Sequence, residues 1–275
     1  MINTLRFFSF FVLLVFVIFT SNSQITITKS DVDAGFLNVK RMDINVNYDP
    51  HPSVNLGNAI GSAQTFNFAS IAGTDTSRDT TLSSYVTPTG LPGADQFPSA
   101  NIAQILESPP PVPGGTLTST IFLSSESDGF YALGVATHYV VPGFIDTLFI
   151  YHWSPKLLYV PLPLTLGTQR TAVDTFYQGP NNYEVATRTF DANGYGTVTL
   201  PNGTSAQAIR VINDRVDLEY TDGVFSDRNH NREVFFITEN SDYLSFQAND
   251  TNYTSGTTSV RGYDMSIKGG AVDVR

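Results

Sequence analysis

Asn193-Gly194-Tyr195-Gly196-Thr197-Val198-Thr199-Leu200-Pro201-Asn202-Gly203-Thr204 leads on through Ala208-Ile209-Arg210-Val211-Ile212-Asn213. A glycine-punctuated entry, a β-branched run, an Asn-Gly turn and a second alternating run make this a complete β-hairpin. Gly194 and Gly196 do not open a dinucleotide fingerprint, because Thr199 holds the third glycine place and no helix follows. They read as strand-entry residues, and Asn202-Gly203 is expected to set the register of a central hairpin.

Working outward, the same grammar recurs. Gln24 to Lys29 alternates apolar and polar residues, Phe36 to Tyr48 is extended, and Thr65 to Phe68 makes a short strand. Downstream, Leu117 to Leu123, Phe130 to Val141, Phe144 to His152, Leu157 to Pro161, Thr165 to Thr175 and Tyr183 to Phe190 follow one another closely. Ser127-Asp128-Gly129, Pro142-Gly143 and Gly179-Pro180-Asn181-Asn182 supply turn chemistry between them. Glu233 to Thr238, Tyr243 to Gln247 and Thr257 to Ile267 complete the set. From Gly73 to Gly115, repeated prolines deny a ladder its donors, so a long loop-rich segment is expected there, with a helical turn only at Ala100 to Leu106. The expected fold is all-β with little helix, an antiparallel meander forming a β-sandwich or a strongly curved, clam-like barrel.

The N-terminus carries Arg6, an apolar run from Phe7 to Thr20 and the small-residue exit Ser21-Asn22-Ser23. That is the pattern of a secretory signal peptide over residues 1–23, leaving 24–275 as a single all-β domain exported to the periplasm or the exterior. The apolar run falls short of the roughly 20 residues a spanning helix needs, and no later stretch offers a transmembrane segment. Without Arg6 the chain has 14 basic and 25 acidic side chains, a formal −11 that argues against a nucleic-acid partner. There is no cysteine, which excludes disulfides, thiolate catalysis and Cys-ligated metals.

Asp227, Asn229, Asn231 and Glu233 place oxygen-bearing side chains at every second position, a spacing with which a tight loop can wrap Ca²⁺. Arg232 and Thr238 stand where a helix-loop-helix calcium site needs Gly and Glu, so a polar hairpin tip is the competing expectation. No other cofactor is implied. Tyr151, Trp153 and Tyr159 cluster around the sole tryptophan and suit ligand binding by stacking, with strand packing as the alternative. Asp217 and Glu219 project from one strand face, as glycosidase carboxylates or an exposed strand would. The four histidines form no HExxH motif, and no Gly-x-Ser-x-Gly elbow occurs, so no catalytic residue is assigned.

Several landmarks fall in a familiar order: Gln24-Ile25-Thr26-Ile27, Gln64-Thr65-Phe66-Asn67-Phe68-Ala69-Ser70, Phe97-Pro98-Ser99-Ala100-Asn101, Leu158-Tyr159-Val160-Pro161-Leu162-Pro163 with Gly167, and the hairpin with Arg210-Val211. Together they resemble a group of uncharacterised secreted proteins of Bacteroidota and neighbouring phyla, often joined to a type IX secretion sorting domain. Phe66 stands where that group usually has Trp, and no sorting domain is recognisable, which sets periplasmic release beside secretion. The resemblance implies no catalytic residues. The expectation is a non-enzymatic extracytoplasmic protein that binds a ligand or serves the bacterial envelope or surface. The alternatives are a carrier of small apolar ligands such as lipid, and a carbohydrate-binding or glycan-active protein. A glycan, a lipid or another envelope protein is the expected partner.

Overall fold

A computed structural model describes residues 25–59, 63–73, 75–108 and 112–269; the signal peptide expected over 1–23 lies outside them. The opening hairpin is β10 (Tyr183–Thr199) and β11 (Ser205–Thr221), paired antiparallel from Thr199↔Ser205 to Tyr183↔Tyr220. Its turn spans Leu200 to Thr204, with Gly203 at φ 84° and Asn202 Oδ1 accepting from the Thr204 N–H at 3.1 Å. Asn and Gly each supply what this turn needs, a local acceptor and a positive φ.

Among the described residues, twelve strands form a closed antiparallel barrel. In chain order they are β1 (Val39–Asn47), β4 (Ser77–Val86), β5 (Ile102–Ser108), β6 (Thr116–Glu126), β7 (Gly129–Val141), β8 (Ile145–Pro161), β9 (Gln169–Tyr177), β10, β11, β12 (Val224–Thr238), β13 (Tyr243–Ala248) and β14 (Thr257–Lys268). The meander closes where β14 returns to β1, in a ladder from Arg41↔Lys268 to Asn47↔Gly262. Closure leaves no long edge to template aggregation. Two short strands lie outside the ring. β2 (Ser53–Asn55) pairs with the start of β14, and β3 (Gln64–Asn67) runs parallel to β10 where β9 no longer covers it.

The expected loop from 73 to 115 is corrected: β4 and β5 are ring strands, and Ala100 to Leu106 holds strand, not helix. In β4, Ser77, Asp79, Thr81 and Ser83 share the inward face, so the strand lacks the apolar alternation that sequence patterning relies on. Phe144 to His152 and Leu157 to Pro161 are one strand, β8, interrupted by extra residues between the pairs Gly134↔His152 and Ala132↔Leu157. The expected strand at Gln24 to Lys29 shrinks to one bridge, Ile27↔Leu164, followed by helix α1 (Lys29–Phe36). At its start, the Thr28 N–H and hydroxyl both donate to the Asp31 carboxylate, at 2.8 and 2.7 Å, so the chain enters a capped helical turn.

Helix α1 plugs one end of the barrel. Val32 and Phe36 point into the lumen core with Ile27, Leu164, Phe130 and Ile237. Arg41, fully buried on β1, fastens the plug: Nη1 donates to Gly35 O (2.9 Å), and Nη2 donates to Ser241 O (2.9 Å) and Ser266 O (2.7 Å). The Ser241 hydroxyl donates to Asp31 O at 2.9 Å. At the opposite end lie the β7–β8, β9–β10 and β11–β12 turns. There Gly223 N–H donates to Asn181 O (2.8 Å), tying two hairpin tips together.

Two further cores lie on the outer wall. A strap made of residues 48–59 and 63–68 crosses β10 to β14 and β1, setting Phe66 4.8 Å from Phe236 and Phe68 4.8 Å from Phe246, centroid to centroid. Gly196, at φ +151°, lets β3 approach; a Cβ there would stand 1.9 Å from Gln64 O. Buried Arg210 pins the strap, with Nε donating to Leu56 O (2.7 Å) and Nη2 to Thr254 O (3.0 Å). The loop between β4 and β5 covers β6 and β7, stacking Phe97 on Phe122 at 4.6 Å. Asn101 seals it by two hydrogen bonds with the Ser125 backbone, Nδ2 donating to the carbonyl oxygen at 3.0 Å and Oδ1 accepting from the N–H at 2.9 Å. The landmark residues Gln64, Asn101 and Arg210 thus do structural work.

Candidate functional site

Strand alternation decides what faces the lumen. On β11 these are Ile209, Val211, Asn213, Arg215, Asp217 and Glu219; opposite them on β12 stand Ile237, Phe235, Glu233, Asn231, Asn229 and Asp227. On β10 the lumen face carries Phe190, Arg188, Ala186 and Glu184, and on β9 Ala172, Asp174 and Phe176. On β11 and β12, and from Phe190 to Glu184 on β10, this face therefore changes from apolar near the plug to polar and charged towards the mouth, while β9 alternates Arg170, Ala172, Asp174 and Phe176.

Two adjoining cavities follow that gradient. The deeper, of about 230 Å³, lies against α1 and is lined mainly by Ile27, Val32, Phe36, Leu123, Phe130 and Val160. The upper, of about 370 Å³, is lined by Trp153, Phe176, Phe190 and Phe235 together with Glu184, Arg188, Asn213, Arg215 and Glu233. Tyr159 and Tyr243 line both.

Tyr159 reaches the lumen through a β-bulge. The ladder passes from Tyr131↔Leu158 to Phe130↔Val160 and skips Tyr159, the extra residue that a bulge re-aims. Its ring lies 6.0 Å from Phe130. It keeps 39 % of its surface accessible, yet burial pushes its hydroxyl pKa up, because the accessible area faces the cavity. Trp153 pairs with Phe176 across β8 and β9, ring centroids 4.8 Å apart, and Tyr151 lies 6.0 Å from the same Phe176. Of the three aromatic residues singled out in the sequence, Trp153 and Tyr159 line the cavities and Tyr151 stands beside them on the β8 wall.

The polar groups are mostly consumed by one another. Arg188 Nε donates to Asp174 at 3.1 Å; burial raises the Asp174 pKa although Arg188 opposes it. Arg215 donates to Asp217 (2.6 Å) and Glu184 (2.7 Å). Burial acts to lower its pKa, but these carboxylates outweigh that and raise it. Glu233 differs. Among the described residues its carboxylate has one hydrogen bond, from Asn213 Nδ2 at 3.2 Å, and no ion-pair partner, and burial raises its pKa. Asn213 is 4 % exposed, and its Oδ1 has no hydrogen-bond partner among the described residues.

The loop expected over Asp227 to Glu233 is a strand, and the hairpin tip falls instead at Asp222-Gly223. Asp227, Asn229, Asn231 and Glu233 do share one face, but same-face neighbours on a strand stand about 7 Å apart and cannot converge on one ion. Among the described residues no group of three or more His, Asp or Glu is arranged to hold a metal. Asp217 and Glu219 face the lumen, with Asp217 held by Arg215. Arg188, Asn213, Arg215 and Phe176 were not singled out from sequence. The available signal was the period-two polar run Asn213, Arg215, Asp217, Glu219 directly following the apolar Ile209 and Val211.

No protein-family model, curated protein or solved structure matches the chain.

Proposed function

We propose that this protein is a non-enzymatic carrier or binding protein that takes a small amphipathic molecule into its barrel, apolar end first. The observation that carries this reading is the pair of adjoining lumen cavities, apolar against the plug and polar-aromatic towards the mouth, bridged by Tyr159 and Tyr243. Concave, mostly apolar space with a few placed polar groups is the usual form of a small-molecule site. The outer wall mixes exposed Thr171, Thr187, Thr189 and Arg228 with exposed Leu82 and Val173, and this mixture supports a water-facing wall over the continuous apolar band of a lipid-facing barrel. The N-terminal pattern of residues 1–23 and the lack of cysteine support an exported, extracytoplasmic setting, in keeping with the resemblance to secreted Bacteroidota proteins.

A carbohydrate is the second reading, favoured by Trp153 and Phe176 standing beside Arg215 and Glu233 in the upper cavity. Native mass spectrometry of protein isolated from its producing cells tests the carrier reading. A bound small molecule, depleted when Val160→Phe fills the deeper cavity, is the expected result. Protein that carries nothing and takes up none of a panel of amphiphiles would refute it.

A further inference from the structure

We infer, resting on the carrier reading above, that the polar end of the ligand is an ammonium group received by Glu233 and Asn213 beside the Trp153–Phe176 wall. Asn213 is 4 % exposed and lines the upper cavity, and among the described residues its Oδ1 is an acceptor without a donor. A buried orphan acceptor costs stability until something donates to it. Among the described residues the Glu233 carboxylate beside it accepts one hydrogen bond and has no cation in contact, so the two side chains together offer several open lone pairs and no donor beyond the Asn213 amide.

An anionic head is poorly served by the same cavity. Both guanidinium groups there are already charge-paired, Arg188 through Nε with Asp174 and Arg215 through Nε and Nη2 with Asp217 and Glu184, so an anion would have to compete with these carboxylates for their charge. The surrounding lumen adds negative charge: Glu219 and Asp227 lie further along the faces that carry Asn213 and Glu233, and Asp264 faces inward from β14. A cation entering the mouth is therefore drawn inward. Trp153 and Phe176, with ring centroids 4.8 Å apart, provide the π faces on which ammonium groups settle in desolvated sites. A neutral hydroxyl would satisfy Asn213 but bring the Glu233 carboxylate no cation in contact, only the more distant charges of Arg188 and Arg215. Burial already disfavours the ionised form of Glu233, and a bound ammonium would reverse that.

Calorimetric titration of the full chain with octylammonium, octanol, octanoate and octyl glucoside holds the tail constant and varies only the head. Octylammonium should bind roughly tenfold tighter or better than the other three, the worth of a hydrogen bond to a charged group. Glu233→Gln should abolish that preference while leaving octanol affinity in place, and Asn213→Ala should reduce it, which guards against misfolding of either variant alone. If octanol, octanoate or octyl glucoside binds as tightly as octylammonium, or if Glu233→Gln keeps the preference, the ammonium assignment falls and the carrier reading stands. If none of the four binds, both fall.

Discussion

Asn213 Nδ2 donates a 3.2 Å hydrogen bond to Glu233 Oε2 across the β11–β12 pair, and among the described residues it is the only side-chain hydrogen bond Glu233 receives. Burial raises the carboxyl pKa, with nearby Asp264 adding to the shift and Asn213, Arg188 and Arg215 opposing it. The folded protein therefore holds this proton more tightly than the unfolded chain. Stability must fall as pH rises from the unfolded glutamate value through the folded one.

Glu233→Gln removes that cost and keeps an acceptor for Asn213. Thermal melts should show a higher Tm for the variant at about pH 7.5 and no difference at about pH 4, below the unfolded value. A lower Tm at the higher pH would mean that the ionised carboxylate is a net stabiliser.

Arg210 carries a buried positive charge whose partners include two backbone carbonyls, Leu56 O and Thr254 O, and the Tyr253 hydroxyl. Lysine cannot reproduce the planar fork. Arg210→Ala should cost about 3–5 kcal/mol in denaturant unfolding, since several charge-assisted bonds are lost and the carbonyls stay buried, and Arg210→Lys should recover only part of it.

Arg41 holds the plug rather than the strap. Arg41→Ala should destabilise the fold by about 3 kcal/mol, and amide exchange should rise first in α1, before the barrel strands. Uniform exchange across the barrel would show that α1 is not separately fastened.

Gly196→Ala tests the close approach of β3. With φ at +151° and Gln64 O 1.9 Å from the added Cβ, the β3–β10 ladder must shift. A loss of more than about 1 kcal/mol is expected, whereas the same change at Gly203, where a Cβ meets nothing within 4 Å, carries only the penalty of its φ.

The parts of the fold legible in sequence were those with one apolar face. Thr197 to Asn213 announces its hairpin because Asn202-Gly203 turns it and Ile209 and Val211 face a core. β4 and the first half of β12 were hidden, because a lumen lined by Ser77, Asp79 and Thr81, or by Asp227, Asn229 and Asn231, leaves a strand with no apolar stripe to read. The site was half legible for a related reason. Trp153 and Tyr159 stood out as aromatic, but only closure of the ring brings Asn213, Arg215 and Glu233 against them, and nothing local marks Tyr159 as the extra residue of a bulge.

Trp153 is the only tryptophan in the chain and lines the upper cavity, so its fluorescence reports directly on occupancy of the lumen. Titration with octylammonium should change its emission saturably in the native protein, and the response should weaken in Val160→Phe, which fills the deeper cavity some way from the indole. A flat emission through the titration, or an unchanged response in Val160→Phe, would contradict a ligand that lies along the barrel axis with its tail against the plug.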